Sequence, residues 1–152
     1  TDGGIILTSG GEESKRFDGQ DGMGITLARA CGIKIAIITS RTSEVVERRA
    51  KELNIDEVIQ GVSRKTNALK SLLEKHQIQA SQAGYIGDDI QDTAVMKQVG
   101  MPIAVQNAVP MVKECSIYVT KNAGGHGAVR EAIEWLLCLR DEKEQAYTAV
   151  IG

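Results

Sequence analysis

Short runs rich in β-branched residues alternate with amphipathic helical patterns along most of this chain. The segment 34–39 is an almost continuous apolar run, which is typical of a strand buried on both faces of a sheet. Ser43 then precedes a helical pattern that extends to Leu53. Further strands are predicted at 57–60, 83–86, 103–105 and 117–119, helices near 66–77, 90–99 and 128–140, and a helical turn at 111–114. This alternation predicts an α/β fold, a parallel sheet with helices on both faces in three Rossmann-like α/β/α layers.

The first segment of the chain follows a different pattern. Residues 5–7 and 15–17 flank a turn at Ser9-Gly10-Gly11, which predicts a β-hairpin or flap before the first helix. No repeat, linker or low-complexity segment interrupts the rest. The 152 residues are therefore expected to form a single domain, 1–152.

Composition narrows the classes of partner. The formal net charge is −2, which gives no electrostatic reason to expect nucleic acid or an anionic membrane as a partner. No stretch approaches the run of about 18 apolar residues that a membrane span needs. The three cysteines are widely spaced and form no CxxC pair, so reduced thiols in the cytoplasm are expected.

Reactive side chains follow three successive predicted strands. Thr39 ends the first strand, Lys65 follows the second, and Asp88 follows the third, with Asp89 and Asp92 close behind it. Ligands of open α/β sheets bind outside the carboxyl ends of the strands, so these groups are expected to converge. Each alone has an ordinary interpretation, such as helix capping by Asp89. Their occurrence together at three strand ends favours a shared site.

This set of side chains suits phosphoryl transfer. Asp88 can supply a hard oxygen ligand to Mg²⁺, which binds in proteins through one or two carboxylates plus phosphate and water. Lys65 and Thr39 can stabilise the charge of the transferred phosphoryl group. Asp89 and Asp92 can orient Lys65 and solvent. His76 is expected to be solvated at a helix end, and His126 lies in a glycine-rich loop where a catalytic role is not favoured.

These residues resemble the second, third and fourth motifs of the haloacid dehalogenase superfamily of aspartate-nucleophile phosphatases. More narrowly, the chain is similar to the capless branch typified by 3-deoxy-D-manno-octulosonate 8-phosphate phosphatase. The similar segments are 1–17, 18–25, 37–53, 85–92 and 124–131. The resemblance implies a fold without a cap domain and a Mg²⁺-dependent phosphomonoesterase of lipopolysaccharide biosynthesis that acts through an aspartyl-phosphate. It also implies a homotetramer in which neighbouring subunits replace the cap.

The resemblance assigns roles to individual positions. Asp88 would be a magnesium ligand, Lys65 the phosphate-stabilising cation and Thr39 a hydrogen-bond donor to phosphate. A loop at 18–22, with Arg41 and Arg49, would contact the sugar acid, and the glycine loop with Arg130 would shape the site near a subunit boundary. The full set expected at the substrate is Asp18, Gly19, Gln20, Asp21, Gly22, Arg41, Arg49, Lys65, Gly124, Gly125 and Arg130.

Arg41 favours an eight-carbon substrate over a nine-carbon keto-sugar 9-phosphate, because relatives acting on the latter tend to carry an acid there. Gln20 and Ser40 depart from the residues usual in relatives. Two other classes remain open: a non-catalytic oligomerisation or pseudo-phosphatase domain linked to sugar-nucleotide synthesis, and a phospho-acceptor signalling domain.

The first and last segments of the chain each lead to a structural expectation. Residues 1–17 are similar to the segment downstream of the nucleophile motif, so the nucleophile and general acid are expected on a strand before Thr1. Asp2 would then lie at the base of the flap, and the sheet would have a gap with two unpaired edges. The apolar segment 146–152 is expected to dock, with a neighbouring subunit as the favoured surface.

Overall fold

The computed structural model describes all residues, Thr1–Gly152. The strands, in chain order, are β1 (Ile6–Leu7), β2 (Glu13–Ser14), β3 (Ala36–Ile38), β4 (Glu57–Ile59), β5 (Gly84–Gly87), β6 (Met101–Ala104) and β7 (Tyr118–Val119). The helices are α1 (Gly19–Ala30), α2 (Glu44–Glu52), α3 (Lys65–His76), α4 (Thr93–Met96), α5 (Pro110–Glu114), α6 (Ala128–Leu139) and α7 (Lys143–Ile151). Short 3₁₀ turns occupy Ala80–Gln82 and Ile90–Asp92. The predicted strand–helix alternation is confirmed.

The predicted loop at 18–22 is wrong, because helix α1 begins at Gly19. The Asp18 carboxylate accepts a hydrogen bond from the Gln20 amide and caps the helix. The glycines in this segment serve close packing. A β-carbon on Gly24 would lie 2.7 Å from the backbone Cα of Arg130 in α6. Glycine therefore lets the two helices approach each other at this point.

Two other predicted elements differ from the structure. The segment 90–99 is not one helix, because the turn Ile90–Asp92 is 3₁₀ and only Thr93–Met96 is α-helical. The flap pairs Ile6 with Ser14 and Leu7 with Glu13, so its return strand lies upstream of the predicted 15–17.

The parallel strands form two separate sheets. β3 pairs with β4, and β5, β6 and β7 form a second sheet in that order. β3 and β5 are not paired, so each leaves one edge without a partner strand. None of the three residues of β3 is buried, although strands covered by helices on both faces normally are. The two parallel sheets are therefore not joined to each other by strand pairing.

The helices pack in two main groups. Helices α1, α6 and α7 share an apolar cluster made of Leu27, Ala28, Ile133, Leu137 and Ala146. Helix α3 packs against α4, where Leu69 and Val95 form an apolar cluster with Val99 of the segment after α4. The C-terminal segment does dock as expected, but on α1 and α6 of its own chain. None of the helices has the length and apolar character to cross a bilayer.

Candidate active site

The ends of β3 and β5 meet at one rim, although the two strands do not pair. The Ser40 hydroxyl, after β3, donates a 2.9 Å hydrogen bond to the side-chain oxygen of Gln91, after β5. Lys65 begins α3 and reaches across to Asp92, its ammonium lying 2.7 Å from Oδ1. These contacts confirm the predicted convergence of the loops after β3, β4 and β5.

Asp92 is the centre of this arrangement. Its side chain is only 2% exposed. Oδ1 accepts hydrogen bonds from the Lys65 ammonium and from the Tyr85 hydroxyl, each at 2.7 Å. Oδ2 accepts the backbone amides of Asp88 at 3.1 Å and Asp89 at 3.2 Å. One carboxylate thus joins the catalytic lysine candidate to the backbone that carries the proposed metal ligand.

The protonation states of the cluster follow from these contacts. Burial alone would raise the pKa of Asp92, but the Lys65 ammonium, the Tyr85 hydroxyl and the two amides together lower that pKa below its usual value. Burial, and then the adjoining Asp92 carboxylate, raises the pKa of Tyr85 far above its usual value. Tyr85 is therefore a neutral hydrogen-bond donor at neutral pH. Sequence reasoning missed Tyr85, because an aromatic residue in a strand ordinarily indicates only core packing.

Asp88 is the residue that fits a metal ion. It is exposed at the rim, and its carbonyl accepts the Val109 amide at 2.9 Å, which fixes its backbone. Although the residue is exposed overall, neighbouring protein atoms partly desolvate its carboxyl group. This desolvation, and then the adjoining Asp92 carboxylate, raises the pKa of Asp88. A bound cation would relieve that unfavourable environment. No group of three or more acidic, histidine or cysteine side chains placed to hold a metal ion is found. The Asp88 carboxylate is a hard oxygen ligand of the kind that Mg²⁺ prefers, and that ion completes its shell with phosphate and water.

Thr39 and Asp89 differ in what they can contribute. The Thr39 hydroxyl oxygen accepts the Arg41 amide at 3.2 Å, and its own proton remains available for donation to an anion. The Asp89 carboxylate instead accepts the Ile90 amide at 2.7 Å and caps the following turn. Asp89 therefore matches the capping interpretation, and Asp92 is the carboxylate that pairs with Lys65.

The two arginines expected at the substrate have different surroundings. Arg41 lies at the rim with 56% of its side chain exposed, and its nearest carboxylate oxygen, from Glu13, is 3.8 Å away. Arg49 pairs with Glu52 at 3.1 Å and lies over the ring of Phe17. Arg41 is consequently the guanidinium with more freedom to meet an incoming anion.

The flap is anchored at the same rim. The Glu13 carboxylate of β2 accepts hydrogen bonds from the Ser43 hydroxyl, which caps α2, and from the Lys15 ammonium at 2.9 Å. These contacts, the Ser43 hydroxyl first, lower the pKa of Glu13. Sequence reasoning missed this anchor, because nothing in the pattern of a two-stranded flap indicates which helix it contacts.

The loop from Gly124 to Gly127 is held from several directions. Arg16 of the flap donates to the Gly125 carbonyl at 2.8 Å and lies 3.3 Å from the His126 ring. A β-carbon on Gly125 would lie 2.3 Å from the Asp2 nitrogen, so the N-terminal segment packs directly on this loop. His126 participates in this flap contact.

Asp21 holds the start of α6. Its carboxylate accepts the amides of Gly127, Val129 and Arg130 at 3.3, 3.0 and 3.1 Å. This places a negative charge at a helix N-terminus, where it is stabilising. The Arg130 guanidinium pairs with Glu134 and lies over the Tyr147 ring. Asp21 and Arg130 thus organise the glycine loop and α6 through these internal contacts.

A cavity of about 640 Å³ is lined by two of the residues expected at the substrate. Gln20 and Arg130 line it, together with Lys121 after β7, whereas Lys65 and Asp88 do not.

The prediction that His76 is solvated is wrong. Its Nε2 lies 3.0 Å from Glu57 Oε1, and its side chain is only 17% exposed.

Comparison with known proteins places this geometry in context. The family model described as haloacid dehalogenase-like hydrolase matches residues 57–133. The chain is 42% identical over 146 residues to 3-deoxy-D-manno-octulosonate 8-phosphate phosphatase of Escherichia coli strain B. The aligned region covers 96% of this chain and 78% of the relative.

Solved structures give the same grouping. The phosphatase of that name from Moraxella catarrhalis, crystallised with magnesium, phosphate and a KDO molecule, superposes with a TM-score of 0.94 at 42% identity. That match covers 99% of this chain and 86% of the other. The cobalt-bound form of the deoxy-D-mannose-octulosonate 8-phosphate phosphatase from Haemophilus influenzae gives 0.91 at 30% identity, covering 97% and 90%.

Proposed function

This chain belongs to the haloacid dehalogenase-like hydrolases, within the family of the 3-deoxy-D-manno-octulosonate 8-phosphate phosphatases, and we propose that it hydrolyses that sugar acid phosphate with Mg²⁺ as cofactor. One structural observation carries the proposal. The buried Asp92 carboxylate binds both the Lys65 ammonium and the Asp88 backbone at the strand-end rim. A phosphoryl-stabilising cation and a metal-binding carboxylate are thereby fixed relative to each other.

The chain's own residues supply positioning and charge. Lys65 would neutralise the oxygens of the transferred phosphoryl group, and the Thr39 hydroxyl would donate a hydrogen bond to them. Asp88 would hold the metal ion, which when bound offsets phosphate charge. Arg41 would receive the carboxylate of the sugar acid, because a guanidinium fork suits two carboxylate oxygens.

The nucleophile belongs to a separate part of the proposal. We infer that one more strand, from residues preceding Thr1 in the intact protein, lies between β3 and β5 and carries an Asp-x-Asp-Gly motif. The unpaired edges of these strands support the inference, since a parallel sheet meant to be buried does not leave such edges open. The first aspartate would attack phosphorus to form an aspartyl-phosphate, the second would protonate the leaving alcohol, and water would hydrolyse the intermediate.

Assembly and cellular role are further parts of the proposal. Ile5, Ile6 and Leu7 of the flap are each more than half exposed, and a two-stranded hairpin rarely persists alone in water. We propose that flaps of neighbouring subunits cover one another in a homotetramer. A cytoplasmic location and a role in lipopolysaccharide biosynthesis fit a phosphatase of this sugar acid.

A panel of phosphomonoesters tests the substrate. The full-length protein should show a higher kcat/KM for the octulosonate 8-phosphate than for a nine-carbon keto-sugar 9-phosphate or glucose 6-phosphate. Equal turnover of all three would indicate a generalist phosphatase. No turnover of any, in folded protein with Mg²⁺, would favour the non-catalytic alternative.

A further inference from the structure

The Tyr85 hydroxyl and the Lys65 ammonium share a single oxygen, Oδ1 of Asp92, at 2.7 Å each. We propose that Tyr85 is a positioning residue for phosphoryl transfer, whose hydroxyl fixes the carboxylate that in turn holds the Lys65 ammonium. The inference rests on the proposed function, because it requires Lys65 to act on a phosphoryl group.

The Asp92 carboxylate has no freedom to rotate while all its partners are in place. Oδ1 takes two donors, and Oδ2 takes the amides of Asp88 and Asp89. The two amides fix one oxygen relative to the backbone. Tyr85, on strand β5, fixes the other oxygen. The amides and the Tyr85 hydroxyl together therefore fix the orientation of the carboxylate that holds the Lys65 ammonium.

Tyr85 is itself rigid. Its residue lies in β5, and its ring packs between the cluster around Met96 and the cluster around Leu69. A tyrosine ring has two side-chain torsions, whereas lysine has a flexible four-carbon stem. The well-packed ring therefore restrains a carboxylate that a mobile lysine could not restrain alone.

Lys65 keeps donors for a substrate. Its ammonium has three N–H groups, and Asp92 is the side chain that accepts from it. The remaining N–H groups can point to phosphoryl oxygens only if the ammonium stays in one place. Small misplacements of a catalytic group lower rate more than they lower substrate affinity.

A purely structural role for Tyr85 makes a different prediction. A hydroxyl that merely satisfies its own hydrogen bond would, when removed, lower stability and leave the kinetic constants unchanged. Orthovanadate bound to the enzyme resembles the trigonal-bipyramidal transition state of phosphoryl transfer, so its inhibition constant distinguishes the two roles. Loss of positioning weakens the binding of vanadate more than it weakens the binding of substrate.

The test compares Tyr85→Phe with Tyr147→Phe in the full-length enzyme. Both variants lose a hydroxyl that donates to a carboxylate at 2.7 Å, but Tyr147 donates to Glu134 in α6, away from Lys65. For Tyr85→Phe we expect kcat to fall about tenfold, KM to change less than about twofold, and the vanadate inhibition constant to rise about tenfold. Tyr147→Phe should leave all three within about twofold.

A second comparison uses Lys65→Ala. If Tyr85 acts through Lys65, adding Tyr85→Phe to Lys65→Ala should leave the vanadate inhibition constant unchanged within about twofold. A further tenfold loss in that background would overturn the inference. So would unchanged kinetics in Tyr85→Phe alone, or equal losses in Tyr147→Phe. An inactive wild-type enzyme would refute the proposed function as well, whereas an active wild type with an indifferent Tyr85→Phe would refute this inference alone.

Discussion

The Lys65 ammonium lies 2.7 Å from the Asp92 carboxylate, although the two residues are 27 positions apart in sequence. The carboxylate is almost fully buried and the lysine is 16% exposed. A pair this far from water is sensitive to the loss of either partner, because the remaining charge has no compensation. The contact therefore links the stability of the fold to the integrity of the site.

Replacing Asp92 by asparagine should destabilise the protein. The amide nitrogen of asparagine cannot accept a hydrogen bond, so it would face one of the donors that Asp92 now satisfies, and Lys65 would lose its counter-charge. We expect the free energy of unfolding in urea to fall by about 3 kcal/mol. Asp89→Asn is the control, because asparagine caps a turn as well as aspartate does. This variant should change the free energy of unfolding by less than about 0.5 kcal/mol. Equal effects would contradict the central role of Asp92.

Glu131 should make the glycine-loop region sensitive to acid. Its carboxylate accepts four hydrogen bonds, from the Tyr118 hydroxyl, the amides of Lys121 and Asn122, and the Asn122 side chain. Burial alone would raise the pKa of Glu131, but these donors lower it below its usual value. A lowered folded-state pKa stabilises the protein above the unfolded pKa of about 4.3, and this contribution is lost as pH falls through the folded value.

Glu131→Gln should therefore lower the free energy of unfolding by about 1–3 kcal/mol at pH 7. The difference from wild type should shrink as pH falls below about 4. Urea titrations across this pH range measure it, with the exposed Glu114→Gln as control. A difference that stays constant with pH would show that the ionised carboxylate is not what Glu131 contributes.

Arg41 should discriminate between substrates with and without a carboxylate. In Arg41→Gln, kcat/KM for the octulosonate 8-phosphate should fall about tenfold, because a charge-assisted hydrogen bond is lost. Hydrolysis of p-nitrophenyl phosphate, which has no carboxylate, should change less than about twofold. Arg48→Gln, at an exposed position of α2, is the matched control. Parallel losses on both substrates would assign Arg41 to the phosphate instead.

The C-terminal helix should be intolerant of larger side chains on its inner face. Ala146 is fully buried against α1 and α6, whereas Ala149 is exposed on the same helix. Ala146→Leu should lower the free energy of unfolding by about 1–3 kcal/mol through overpacking. Ala149→Leu should change it by less than about 0.5 kcal/mol. Thermal or urea unfolding checks both, and a tolerated Ala146→Leu would mean that α7 does not dock on its own chain.

The strand–helix pattern was readable from the sequence because each element has its own local signal. The apolar run before Thr39 and the cap at Ser43 depend on neighbours in sequence, and both appear at the expected places. The loop expected at 18–22 came from the resemblance to known phosphatases, and the glycines there gave no local signal for the helix that the structure contains. Gly24, just beyond them, permits the close approach of α6, which is a tertiary contact.

The candidate site was predictable only in part for the same reason. Topology places the ends of parallel strands at one rim, so Lys65 and Asp92 could be brought together from sequence. Tyr85, Glu13 and the carboxylate of Asp21 depend on side-chain directions that no local pattern encodes. Which residues meet across elements far apart in sequence is decided by packing.

Magnesium dependence tests the account most directly, through Asp88. Phosphate release from the octulosonate 8-phosphate should be measured in full-length wild type and Asp88→Asn, after EDTA treatment and across a Mg²⁺ titration, with thermal unfolding to verify the fold. We predict saturable activation of the wild type by Mg²⁺. We also predict a loss of about 100-fold or more in Asp88→Asn, because in the proposed mechanism the Asp88 carboxylate would hold the ion. Full activity after EDTA treatment, or an Asp88→Asn variant with unchanged rate and Mg²⁺ dependence, would contradict it.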